Sequence, residues 1–287
     1  MKVFKSIETI RVFLDIQRNK QLKIGLVPTM GALHEGHLSL VETAREQNDI
    51  VVVSIFVNPI QFNKKEDLDK YPSNVERDLQ LLERMGCASV FLPSVDEMYH
   101  SEESLLRFKV GYFDEIMEGK FRPDHFAGVT LVVSKLFNIV DPDNSYFGQK
   151  DLQQLVLVRT LTRELNFRTQ IVNVPTVREV SGLAKSSRNE RLDENGLRTA
   201  VSIFVGLNLL ESKIMSGAYL ENAIEEVESF YNEIDGFELE YLEVVRADNL
   251  KSIKEFNPEI ETSICVAGYV GGVRLLDNIC IQLKKYA

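Results

Sequence analysis

Ile50-Val51-Val52-Val53-Ser54-Ile55-Phe56-Val57 is an almost continuous apolar run dominated by β-branched residues. A strand with one wet face alternates polar and apolar side chains. A run without alternation belongs to a strand covered on both faces, as in a parallel sheet. Upstream, residues 24–28 form a shorter apolar run that stops at Pro28 and Gly31. Between the two, residues 36–48 carry Leu38, Val41, Ala44 and Arg45 at helical spacing. Downstream the alternation continues. A helix is predicted over 74–85, with Leu79, Leu82 and Met85 on one stripe, and a strand over 89–92, closed by Pro93. A helix over 126–140, a short strand over 145–147, a helix over 151–165 and a strand over 170–174 follow. Strands alternating with helices predict an α/β fold with a Rossmann-like, doubly wound parallel sheet. In such sheets ligands bind beyond the carboxyl ends of the strands.

Past Pro175 the texture changes. Two acidic amphipathic helices (193–215 and 220–234) precede strand-like runs at 239–245, 263–269 and 273–283. This predicts a smaller C-terminal α+β domain, dividing the chain into residues 1–176 and 177–287. The 287 residues carry 33 basic and 43 acidic groups, a net charge of −10. Most of that excess lies beyond residue 175, and an acidic chain argues against general nucleic-acid binding, which needs a basic face. Cys87, Cys265 and Cys280 are odd in number, far apart and without C-x-x-C spacing, as expected of thiols in a reducing compartment. The first 20 residues show no signal-peptide core, and no apolar run is long enough to span a membrane. A cytosolic protein is expected.

The densest site signal is Pro28-Thr29-Met30-Gly31-Ala32-Leu33-His34-Glu35-Gly36-His37, where the first apolar strand turns into a helix. A helix N-terminus offers unpaired backbone N–H groups and a positive dipole end, and so favours phosphate. His34 and His37 would add donors. A Gly-rich turn with two surface histidines is the plainer alternative, but half of the chain's histidines converge here. Their i, i+3 spacing fails the H-E-x-x-H zinc motif. Gly31 and Gly36 have P-loop spacing, but the lysine and hydroxyl that should follow are missing, and G-x-G-x-x-G occurs nowhere. A dehydrogenase is therefore not expected.

Three further segments carry polar side chains to turns. Asn58-Pro59-Ile60-Gln61-Phe62 ends the buried strand, and the Gln61 amide suits a hydroxyl or carboxylate, or simply water. Phe147-Gly148-Gln149-Lys150-Asp151 leads into a helix with Gln154 one turn on. Lys150 at a helix N-terminus is electrostatically misplaced unless an anion sits there, whereas Asp151 could equally cap the helix. Val177 opens a segment ending in Lys185-Ser186-Ser187-Arg188, cations and hydroxyls suited to pyrophosphate. A charge run is usually only a solvated face. This one falls at the domain join, where clefts are common.

In this order and spacing, the four segments resemble the pantoate–β-alanine ligase family, part of a nucleotidyl-transferring superfamily shared with class I aminoacyl-tRNA synthetases. The likeness extends to His125-Phe126-Ala127-Gly128-Val129 and Arg274-Leu275-Leu276-Asp277-Asn278. It implies ATP-dependent condensation of pantoate with β-alanine through pantoyl adenylate, with release of pyrophosphate and AMP. It further implies that Met30 to His37, Gly148, Gln149, Lys150, Asp151, Val177 and Lys185 to Arg188 line the ATP site. His34, His37, Lys150, Ser186, Ser187 and Arg188 would serve catalysis. Gln61 and Gln154 would hold pantoate, and Gln61 also β-alanine. Magnesium is expected with ATP, with Asp78 a candidate contact, and the family suggests a homodimer. Family members often carry an apolar residue where this chain has Lys185. Two other classes stay open at this stage: an adenylyltransferase that stops after nucleotide transfer, and a non-catalytic nucleotide-binding module.

Overall fold

The structure, a computed structural model, describes residues 1–63, 65–69, 71–99 and 106–281. Two compact units divide the chain, Met1–Gly148 with Gln153–Pro175, and Gln149–Leu152 with Thr176–Ala287. The sequence predicted one cut after residue 176. The main cut falls one residue earlier, and Gln149–Leu152 goes with the second unit.

The first unit is built on six parallel strands: β1 (Lys2–Phe4), β2 (Ile24–Thr29), β3 (Ile50–Ile55), β4 (Ser89–Phe91), β5 (Asn144–Gly148) and β6 (Gln170–Val174). Their order is β1-β4-β3-β2-β5-β6. The chain winds to one side from β2 through β3 and β4, then returns to the other side of β2 with β5. The β2/β5 boundary is thus the topological switch point, where α/β sheets hold ligands.

Burial explains the unbroken run. Val51 and Val53 pack into one core cluster with Val27, Val90 and Tyr146 under Leu40, Val41 and Ala44 of the helix Glu35–Gln47. Leu26, Val52 and Phe91 alternate onto the opposite face and are equally buried. Both faces are covered. Pro28 lies inside β2 and does not end it. The ladder to β5 pairs only Gly25 and Leu26, so at Pro28 that side of the strand has already parted.

Helix boundaries follow local chemistry. Asn74 caps the helix Val75–Arg84 by accepting from the Arg77 N–H at 3.1 Å, so the predicted helix loses one residue at each end. The predicted strands at 50–57, 89–92 and 145–147 are Ile50–Ile55, Ser89–Phe91 and Asn144–Gly148. The helices predicted over 126–140 and 151–165 are His125–Val140 and Leu152–Glu164, and the strand Gln170–Val174 has its predicted bounds. The elements without a forecast include β1, the helix Ile7–Arg18 and the short helices Lys65–Asp69, Val95–Met98 and Met117–Phe121. A three-residue edge strand carries almost no periodic signal.

The second unit packs the helices Glu194–Met215 and Leu220–Asn232 on an antiparallel sheet of β7 (Phe237–Arg246), β8 (Thr262–Val270) and β9 (Val273–Ile281). Its core includes Leu207, Leu210, Val227 and Tyr231 against Val244, Ile264 and Val266. Of the predicted run at 273–283, the last two positions lie outside the described residues. Among the described residues the cysteines form no disulfide, and no helix is long and apolar enough to cross a membrane.

Candidate functional site

In the first unit the site begins where β2 ends. Thr29 donates its hydroxyl to the Ser54 carbonyl at 2.8 Å, tying the ends of β2 and β3 together. The chain then turns through Gly31 (φ +82°) and Ala32 (φ +49°), both left-handed. Glycine takes that conformation without cost, and a Cβ there would also lie 3.0 Å from Asp78 Oδ2.

Asp78 is the hidden anchor of this turn. Its carboxylate accepts from the Ala32 N–H at 2.9 Å and from the Leu33 N–H at 2.8 Å, and the residue is 1% exposed. Burial pushes its pKa above the usual value, opposed by those two hydrogen bonds. Asp78, the candidate magnesium contact, thus has each carboxylate oxygen on a backbone N–H and shapes the turn. Among the described residues no group of three or more His, Cys, Asp or Glu side chains could hold a metal ion.

The helix Glu35–Gln47 opens on the histidine pair. His34 is its N-cap, and its Nδ1 accepts from the Gly36 N–H at 3.1 Å. His37 Nδ1 accepts from the His34 N–H at 3.4 Å, closing a reciprocal cap. The two rings lie 4.1 Å apart, centroid to centroid. A neutral imidazole whose Nδ1 accepts carries its proton on Nε2. The cap therefore turns both rings into Nε2–H donors at the positive end of a helix dipole.

Gln61 is set by a separate network. It ends a short 3-10 turn, Pro59–Gln61, and is 6% exposed. Asn58 Nδ2 donates to Gln61 Oε1 at 3.2 Å and to the Gly128 carbonyl at 3.1 Å, while Asn58 Oδ1 accepts from Tyr99 Oη at 2.8 Å. With its oxygen bound, the Gln61 amide presents nitrogen, which donates to the Met30 sulfur. His125 Nδ1 lies 3.0 Å from the Gln61 carbonyl. Asn58, Tyr99 and Gly128 were absent from the sequence-based site. Asn58 could have been suspected from its place at the strand end and Gly128 from its place in the His125–Val129 likeness, but nothing local marks Tyr99.

Of the two adjacent glutamines, Gln153 is structural. It donates to the Phe113 and Ile116 carbonyls and accepts from the Glu118 N–H at 2.9 Å. Gln154, the residue expected to hold pantoate, is half-buried beside it.

The second unit gathers the other phosphate candidates. Lys150, Ser186 and Arg188 line one small pocket with Asn189, Arg274 and Asp277. Ser186 caps the 3-10 turn Ser187–Arg191 by accepting from the Arg188 N–H. Lys150 lies 3.8 Å from Asp151, so its charge is partly balanced by its exposed neighbour. Lys185 is paired with Glu179 at 2.5 Å, and its N–H donates to the Val177 carbonyl. The loop's net positive charge is therefore smaller than the sequence suggested. Gln149 and Asp151 form one 3-10 turn with Lys150 ahead of the helix Leu152–Glu164.

The Pantoate-beta-alanine ligase family model matches residues 2–280. The chain belongs to the pantoate–β-alanine ligase family. A pantothenate synthetase of Cytophaga hutchinsonii is 44% identical over 97% of this chain and 98% of its own length. That of Bacteroides thetaiotaomicron is 42% identical over 97% and 98%. The crystal structure of the Thermus thermophilus pantothenate synthetase superposes with a TM-score of 0.90 at 38% identity, covering 97% of this chain and 99% of that one. The Francisella tularensis ligase, crystallised with a β,γ ATP compound and β-alanine, gives 0.79 at 37%, covering 97% of both. The ligase fold is thus shared along nearly the whole chain, and the chain is an acid–amine ligase that condenses pantoate with β-alanine at the expense of ATP. A non-catalytic module and a plain adenylyltransferase do not fit this membership.

Proposed function

We propose that the ligase works through an acyl adenylate, with each sequence-predicted residue in a definite role. A pantoate carboxylate oxygen attacks the α-phosphorus of ATP, the bond to the β-phosphate oxygen breaks, and pyrophosphate leaves. The β-alanine nitrogen then attacks the acyl carbon and gives up a proton to solvent, and AMP leaves with the electron pair of the acyl C–O bond of the mixed anhydride. Met30 to His37 receive the nucleotide, with His34 and His37 donating from Nε2 to phosphate oxygens. Gln61 and Gln154 hold pantoate, and Gln61 also orients β-alanine. Gly148, Gln149, Lys150, Asp151, Val177 and Lys185 to Arg188 complete the nucleotide set, and Lys150, Ser186, Ser187 and Arg188 offset charge on the departing pyrophosphate. Residues 1–176 act as the nucleotide- and pantoate-binding domain and 177–287 supply the Lys185–Arg188 loop. Magnesium enters with ATP, held by its phosphates. The enzyme works in the cytosol as a homodimer.

The observation that carries this reading is the capped histidine pair. Its Nδ1 atoms are spent on the helix cap, which fixes two N–H donors in advance at a helix N-terminus. Donors already aimed at developing phosphate charge cost no reorganisation when the reaction occurs. Holding carboxylate and α-phosphate together adds the proximity contribution.

Omitting β-alanine tests the order. Labelled pyrophosphate should exchange into ATP when pantoate and magnesium are present and the amine is absent. Release of ADP and phosphate in the full reaction, in place of AMP and pyrophosphate, would instead identify an acyl-phosphate route and overturn the adenylate.

A further inference from the structure

Lys150 stands in the middle of the three-residue 3-10 turn Gln149–Asp151. Its backbone is held from the far end of the second unit. Asn278, in β9, donates from Nδ2 to two successive carbonyls, that of Gln149 at 2.9 Å and that of Lys150 at 2.7 Å. Gln149 Nε2 returns a hydrogen bond to Asn278 Oδ1 at 3.3 Å. Asn278 is 3% exposed, so these bonds have no competition from bulk water.

Asn278 is itself fixed. Its N–H donates to Asp277 Oδ1 at 2.7 Å, and Asp277, also 3% exposed, forms a two-point ion pair with Arg178. The Arg178 guanidinium also donates to the carbonyls of Asn278 and Gly182 and lies over the Phe204 ring, 4.4 Å from its centroid. Arg178 bridges to Ala184, and Ala184 directly precedes Lys185. One buried cluster in β9 therefore fastens both cationic segments of this unit, the turn at Lys150 and the loop running to Arg188.

We infer that Asn278 is a positioning residue for the adenylation step, acting through Lys150 by clamping the carbonyls of Gln149 and Lys150. This rests on the proposed role of Lys150 in offsetting phosphate charge. Asn278 touches no substrate in this scheme. A lysine head at the end of four methylenes is only as well placed as the backbone that carries it. A displacement of about 1 Å at a charge-stabilising group is enough to cost roughly 10²-fold in rate.

The test is a double-mutant cycle read by ATP–pyrophosphate exchange. Asn278→Leu is nearly isosteric and lacks the donor, and Asn278→Ala serves if the leucine variant does not fold. Either should lower exchange by about 10- to 100-fold, with a folded protein of lowered melting temperature, because two carbonyls lose their donor, and with aminolysis of supplied pantoyl adenylate unchanged. In a Lys150→Ala background the same substitution should lower exchange no further, because residues acting through one group are not additive. Wild-type exchange in the single Asn278 variants, or a full multiplicative loss in the double variant, would overturn the inference. Wild-type exchange in Lys150→Ala alone would instead remove the role of Lys150 on which it rests.

Discussion

At the residue scale, the two histidines do different structural work from what their spacing suggested. Read as ligand donors, they also build the helix cap from which they would act. His37→Ala removes the imidazole donor and the cap hydrogen bond to the His34 N–H, so kcat should fall by roughly 10²–10³, as for loss of an oxyanion-type donor. The melting temperature should change little, since His37 is only half-buried and its cap bond is 3.4 Å long. Steady-state kinetics beside a thermal melt would decide, and full activity in a folded variant would refute the role. The sequence placed both histidines correctly at a strand-to-helix turn. It could not show that Nδ1 of each ring is engaged, because that depends on the geometry of the first helical turn.

At the element scale, the Gln61 turn and the helix His125–Val140 meet without room for a side chain. A Cβ on Gly128 would lie 2.7 Å from Gln61 Cα and 2.8 Å from Gln61 N, backbone atoms that cannot rotate away. Gly128→Ala must therefore push the whole turn. Overpacking of this kind costs about 1–3 kcal/mol, and the displaced Gln61 should raise the KM for pantoate more than that for ATP. Denaturant unfolding and the two KM values test this; a pantoate KM equal to wild type would detach Gly128 from the site. In the sequence Gly128 stood in the His125–Val129 stretch of the family likeness, with no partner indicated. Glycine is a poor helix former, but the reason for it here is a turn 67 residues upstream.

At the scale of the whole molecule, the order of the two chemical steps governs how rate should respond to pH. The amine must attack uncharged, so aminolysis of pantoyl adenylate should quicken as pH rises toward the amine pKa of β-alanine. Pyrophosphate exchange does not involve the amine and should not follow that rise. Rapid-quench measurement of each half-reaction across pH separates them, and parallel profiles would contradict the scheme.

Much of the protein was legible in its amino acids. The β-branched run at β3 specified a strand covered on both faces, because period-two alternation is absent whenever neither face meets water. The turn from Pro28 to His37, the loop at Lys185 to Arg188 and the break past Pro175 were likewise local signals. Tertiary structure alone decided that Asp78 is bound to the backbone of Ala32 and Leu33, and so shapes a turn. It alone assigned Gln149–Leu152 to the second unit and put Asn278 on the carbonyls of Gln149 and Lys150. It also paired Lys185 with Glu179. The physical reason is common to most of these cases. A side chain that satisfies backbone groups far away in sequence obeys no periodicity, so its partner becomes visible only when the folded chain brings the two together.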